Sequence, residues 1–222
     1  MRTFEEIYAI AADRKGDLES LLSSMDASKT KADLAAIPDD RWLSCMTKCV
    51  FQSGFNWKVV ENMWPGFEDV FEGFDVAHCM MLNDDDLSCL VSDTRIVRNG
   101  QKIRTVQQNA AFLSALSAQH GGVGRCFGAW PSDDYTGLLA LLKKKGSRLG
   151  GNTGQYFLRF MGVDSFIFSR DVTARLIAEG VVDKVPTSQK DMAAVQGAFD
   201  EWRAQSGRGL TQISRILAFS TG

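Results

Sequence analysis

The run Leu142-Lys-Lys-Lys-Gly-Ser-Arg-Leu-Gly-Gly-Asn-Thr-Gly-Gln-Tyr156 constrains this chain more than any other stretch. Leu138, Leu139 and Leu142 fall on one helical face and three lysines follow them, so a helix is expected over 132–145. Ser132 is its expected N-cap, with Asp133 and Asp134 in the first turn. Gly146 is expected to stop it in the left-handed conformation. Gly150, Gly151 and Gly154, with Asn152 and Thr153 between them, then let the backbone turn tightly and bring bare N–H groups to an outside object. The positive end of the next helix lies at that same place. A phosphate fits such a turn, and Lys143, Lys144, Lys145 and Arg148 add a field that favours a polyanion. The run continues to Asp171, which opens a third helix.

The formal net charge of −2 conceals an asymmetry. Residues 1–94 carry eight Lys/Arg against eighteen Asp/Glu, and residues 95–222 carry seventeen against nine. The basic excess therefore coincides with the glycine-rich turn, as a nucleic-acid surface requires. The five cysteines (Cys45, Cys49, Cys79, Cys89, Cys126) are odd in number and sit in apolar helical patterns, which implies reduced thiols rather than disulfides. Neither a membrane span nor a signal peptide is apparent, so a cytoplasmic protein is expected, with no membrane partner.

The rest of the chain reads as helices. Short ones are expected over 3–12, 16–25 and 28–37, and a longer one capped by Asp39 or Asp40 and running through Trp42, Met46, Cys49 and Val50. It ends near Gln52-Ser53-Gly54. A helix over 59–63 is expected to break at Trp64-Pro65-Gly66, and Asn83 with Asp86 signals a capping box. The stripe Ile103, Val106, Ala110, Leu113, Leu116 marks a long helix over 101–118. Cys126 to Pro131 reads as a loop, Val172–Ala178 as a helix closed by Gly180, and Ser188 as the cap of a helix through Trp202. Leu210, Ile213, Ile216 and Leu217 form the last amphipathic segment. Without strand alternation or an internal repeat, the expected fold class is all-α.

Three stretches carry a resemblance to a known family. They are the 142–158 run, Gln52-Ser-Gly-Phe-Asn-Trp57, and Arg95-Ile-Val-Arg-Asn-Gly-Gln-Lys102-Ile leading to Asn109-Ala110. In order and spacing they resemble the 3-methyladenine DNA glycosylase type I family of the helix-hairpin-helix DNA glycosylase superfamily, over roughly residues 40–180. The resemblance implies one glycosylase-like domain over 1–222. Its helix-hairpin-helix falls at about 132–161, and two helical lobes, 1–40 with 160–222 and 41–160, flank a cleft. It further implies a monofunctional enzyme of base-excision repair that hydrolyses the N-glycosidic bond of an alkylated purine flipped out of DNA. The implied partner is double-stranded DNA with a damaged base, bound by a monomer. The alternative is a helix-hairpin-helix DNA-binding protein that is inactive or of different specificity.

Site roles follow from the same resemblance. Phe55 takes the place of the residue that wedges the duplex, and Trp57 that of the tryptophan lining the base pocket with Gln52 and Cys49. For a lone Phe or Trp the plain reading is core, and for Gln52 a buried amide satisfying backbone. Gly150, Gly151, Asn152, Thr153 and Gly154, with Lys145 and Arg148, would bind the DNA backbone. Asp171 takes the catalytic aspartate's place, either as a carboxylate facing the sugar cation or as a mere helix-capping acid, with Asp164 as its competitor. Gln155 holds the position of the amine nucleophile in strand-cleaving relatives, and an amide forms no Schiff base. Two departures stand out. The type I zinc ligands are missing, so no cofactor is expected beyond a monovalent cation that the hairpin carbonyls could hold. Cys49 replaces the glutamate that contacts the alkylated base.

Overall fold

The computed structural model describes residues 1–25 and 27–221. Among these residues, fourteen α-helices and no strand make the fold all-α. In chain order the helices are α1 (Phe4–Lys15), α2 (Leu18–Ser23), α3 (Lys31–Ala35), α4 (Asp39–Gln52), α5 (Trp57–Val70), α6 (Val76–Met81) and α7 (Asp84–Ser92). There follow α8 (Gly100–His120), α9 (Val123–Ala129), α10 (Tyr135–Lys145), α11 (Asn152–Met161), α12 (Arg170–Ala178), α13 (Gln189–Ser206) and α14 (Leu210–Phe219). None is long and apolar enough to cross a membrane.

The chain forms two compact units. The first comprises Met1–Lys29, Trp130–Leu138 and Gly162–Gly222, and the second Thr30–Ala129 with Leu139–Met161. In the first, Phe166 stacks on Phe199 at 4.2 Å and receives Tyr135 edge-on at 4.5 Å. Trp202, Ile213, Ile216 and Leu217 are wholly buried around them. The α13 entrance is a capping box of Ser188 and Asp191, the sequence signal taking effect as expected. A carboxylate, Glu179, is buried here beside Arg2 and Arg175 at 2.8 and 3.2 Å.

The second unit is built around α8, whose Ile103, Val106, Ala110 and Leu113 are fully buried. Trp42, Phe127 and Phe157 form one cluster with centroids 5.2–5.9 Å apart, joining α4, α9 and α11. Glu68 accepts from the Arg41 guanidinium at 3.0 and 2.9 Å, from Ser44 at 2.6 Å and from the Trp64 indole at 3.0 Å, which ties α4 to α5.

Several local expectations are corrected, each by tertiary packing. Helix α5 starts at Trp57, with Asn56 as its N-cap, and continues past Pro65 to Val70. Trp64 stacks on Phe67 and Phe74, and Phe67, Phe71 and Phe74 are fully buried. At roughly 1.5–3 kcal/mol for each buried ring, this exceeds the ~3 kcal/mol that a proline costs inside a helix. Of the loop expected from Cys126 to Pro131, residues 126–129 belong to a helix, α9. A Cβ on Gly124 would meet the Leu34 carbonyl oxygen at 1.9 Å, so this glycine is there to let α9 approach α3. That contact lies within the second unit, which begins at Thr30. Neither Asp39 nor Asp40 caps α4. Its N-cap is Pro38, and Asp39 instead accepts from the Val123 N–H at 3.0 Å. Ser132 opens a short 3-10 turn, and α10 begins only at Tyr135.

Candidate functional site

The hairpin between α10 and α11 is held from α8. Asn109, fully buried, accepts from the Ser147 N–H at 2.7 Å and donates to the Ser147 carbonyl at 3.2 Å. The Ser147 hydroxyl donates to Gln108 at 2.6 Å. Beyond Ser147, Arg148 and Gly151 take the left-handed conformation, both with φ of 59°. Gly146 does not, against expectation. A Cβ there would meet the Leu149 side chain at 2.4 Å, so close packing, not backbone twist, requires glycine. Gly154 has the same role, with the Leu149 carbonyl oxygen 2.4 Å from where its Cβ would be. Leu149 is the buried pin, and Gly151 and Asn152 at the tip are exposed. Lys143, Lys144 and Lys145 are exposed alongside, and Arg148 donates to Gln101 at 2.5 Å.

Facing the hairpin's second helix is the turn after α4. Gly54, at φ 68°, lets the chain reverse, and the Phe55 N–H donates to the Gln52 carbonyl at 3.1 Å. Phe55 is left 45% exposed and Trp57 44% exposed, which excludes the plain core reading for both. Lys102 of α8 clamps this turn, its ammonium donating to the carbonyls of Phe51 at 3.1 Å and Ser53 at 2.7 Å. Burial, assisted by the positive charge of Arg148, pulls the Lys102 ammonium below the ordinary lysine value. The sequence places Lys102 in a motif without revealing this clamp.

Between turn and helix lies a pocket of about 180 Å³. Cys49, Gln52, Ser53, Gly54 and Trp57 line one side of it, and Asn152, Thr153, Tyr156 and Phe160 the other. Three rings form its wall. Trp57 stands edge-on to Tyr156 at 5.7 Å and 88°, and to Phe160 at 6.1 Å and 84°. The motifs do not single out Phe160, although it follows Tyr156 by one helical turn. Gln52 is 4% exposed, and no described residue hydrogen-bonds its side-chain amide. The Cys49 thiol is pushed up by the neighbouring Cys45 thiol and by burial, so it stays protonated at neutral pH. Asn152 and Thr153, expected only as backbone-binding residues, are pocket walls as well.

The two candidate acids lie in the first unit. Asp164 accepts from the N–H groups of Leu210 at 2.9 Å and Thr211 at 2.8 Å, and from the Ser28 hydroxyl at 3.1 Å. It is the entrance acid of α14, with its lone pairs committed. Asp171 differs. Ser169 is the N-cap of α12, accepting from Val172 at 3.1 Å, and Asp171 is the second residue of that helix. Its carboxylate is half-buried, and among the described residues nothing pairs with it.

Residues 35–130 match the model of the methyladenine glycosylase family, a span that holds Cys49, Gln52, Phe55, Trp57, Lys102 and Asn109. Over that span the chain is similar to the methyladenine glycosylases. Solved structures agree on the fold. The 3-methyladenine DNA glycosylase I of Staphylococcus aureus, in a mutant form, superposes with a TM-score of 0.53 at 14% identity, over 81% of this chain and 98% of that one. The 8-oxoguanine DNA glycosylase of Methanocaldococcus jannaschii gives 0.58 at 11% identity, over 96% and 91%. That of Thermotoga maritima gives 0.52 at 14% identity, over 96% and 95%. No curated protein sequence matches the chain significantly. The chain thus has the helix-hairpin-helix glycosylase fold, and its aromatic pocket adjoins the hairpin.

Proposed function

We propose that the protein is a monofunctional DNA glycosylase of base-excision repair, acting as a monomer on duplex DNA that holds a damaged purine. Gly150 to Gly154, with Lys145 and Arg148, grip the phosphate backbone through N–H groups and charge. Phe55 fills the gap in the stack, and the everted base enters the pocket against Trp57. Bond cleavage develops positive charge on the sugar. Asp171, with no competing partner among the described residues, is the carboxylate we assign to stabilising that charge and to accepting the proton of the attacking water. Water is the nucleophile, so the reaction needs no cofactor.

The observation that carries this reading is the pocket itself. Three aromatic rings surround space for one heterocycle, between an exposed apolar turn and a bare-backbone hairpin. The test is base release from duplexes carrying single lesions, together with 3-methyladenine release from methylated DNA, since the matched family is described as methyladenine glycosylase. Release without strand scission is expected. Because Gln155 carries an amide, borohydride should trap no covalent enzyme–DNA adduct. A trapped adduct would refute the monofunctional assignment, and a complete absence of release would refute the enzyme.

A further inference from the structure

We infer that the pocket selects an uncharged damaged base bearing a lactam edge, a ring carbonyl next to a ring N–H, and that Gln52 is the residue that reads it. The inference rests on the glycosylase reading and narrows its substrate. Gln52 is only 4% exposed, lines the cavity, and its amide hydrogen-bonds none of the described residues, so its donor and acceptor are left for what enters the cavity. Its carbonyl accepts and its NH₂ donates side by side, so its complement is an edge that donates and accepts side by side. Hypoxanthine, 8-oxoguanine and uracil all present one.

The charge of the surroundings points the same way. None of the nine lining residues is ionised, since Cys49 keeps its proton. Positive groups lie against the pocket wall. Lys48 acts on Cys49, the Lys102 ammonium bonds the Ser53 carbonyl on the rim, and Asn152 and Thr153 present the positive end of α11. A cationic N3-methylpurine gains nothing from such a field, whereas a carbonyl oxygen does. A neutral base is also the poorer leaving group, and the same donors assist it. As the C1′–N bond breaks, its electron pair stays on the base and spreads over the ring towards the carbonyl oxygen that accepts from the Gln52 NH₂. Water adds to C1′ and gives its proton to Asp171, and the departing base takes up one proton from solvent.

The experiment compares single-turnover release from duplexes holding hypoxanthine, 8-oxoguanine or uracil with release of 3-methyladenine from methylated DNA. The wild type, Gln52→Leu, the near-isosteric Gln52→Glu and Cys49→Glu are used, each first shown to melt like the wild type. The wild type is expected to release at least one lactam base. Both Gln52 variants should lose on the order of 10²-fold or more in rate on it, since a site built to hydrogen-bond its ligand depends steeply on that bond. Cys49→Glu should shift preference towards 3-methyladenine. Release confined to 3-methyladenine overturns the inference while leaving the glycosylase standing. Unchanged lactam release by both Gln52 variants overturns the role of Gln52. Absence of release from every substrate overturns the enzyme assignment and this inference with it.

Discussion

Asp164 and Asp171 stand seven positions apart at the entrances of two helices of one unit, and they meet opposite fates. Asp164 holds two backbone N–H groups of α14 and a serine hydroxyl, so both of its oxygens are occupied by the fold. Asp171 leaves capping to Ser169 and keeps its carboxylate unengaged among the described residues. Two amides of the other unit repeat the contrast. Asn109 spends its donor and acceptor on Ser147, whereas Gln52 spends neither. In each pair the polar group that the fold does not use keeps its hydrogen-bonding capacity for solvent or a ligand.

The contrast is broken most severely at Asp171. Asp171→Asn should reduce single-turnover base release by about 10²–10⁴-fold, the usual contribution of a positioned acid or base, with an unchanged thermal melt. Should the melt fall and the rate survive, Asp171 is a structural acid like its neighbour. Asn109→Leu comes next. It strands the N–H and carbonyl of Ser147, and at about 1–3 kcal/mol for each unsatisfied buried group it should lower stability measurably in urea and weaken binding to undamaged duplex. Intact duplex affinity would show that the hairpin does not need its clamp. Asp164→Ala should do the reverse of Asp171→Asn, costing about 1–2 kcal/mol of stability as lost caps do, with release per folded molecule retained.

Glu179 gives the mildest test, as a second acid consumed by the fold. Burial raises its carboxyl, but the Arg2 backbone N–H, the Arg2 guanidinium and that of Arg175 together hold it below the ordinary 4.5. A carboxyl depressed in the folded state stabilises fully above its unfolded value, and this stabilisation is lost as pH falls through the folded one. Melting temperature should therefore drop below about pH 4.5, and less so in Glu179→Gln, which starts lower. Parallel pH curves for the two proteins would remove Glu179 from the group of consumed acids.

Much of the fold is legible in the sequence. The stripe on α8, the Asn83–Asp86 and Ser188–Asp191 caps, and the stop at Gly180 all carry local signals that act within a few residues. Where local signals mislead, a distant segment decides. Pro65 stays helical because rings pack on both sides of it, and Gly124 marks contact with α3 rather than a loop. Of the candidate site, Cys49, Gln52 and Trp57 are legible from motif spacing, and the structure gathers them with Tyr156 and Phe160.

The sequence by itself determined that the chain is helical, where most helices start and stop, and that a glycine hairpin lies beside lysines, because periodicity, caps and turn residues act over a handful of bonds. Only the tertiary structure decided which polar groups are used up. Whether Asp164 or Asp171, Asn109 or Gln52, keeps its hydrogen-bonding capacity depends on partners 38 to 136 residues away, and no local pattern encodes the distance between them.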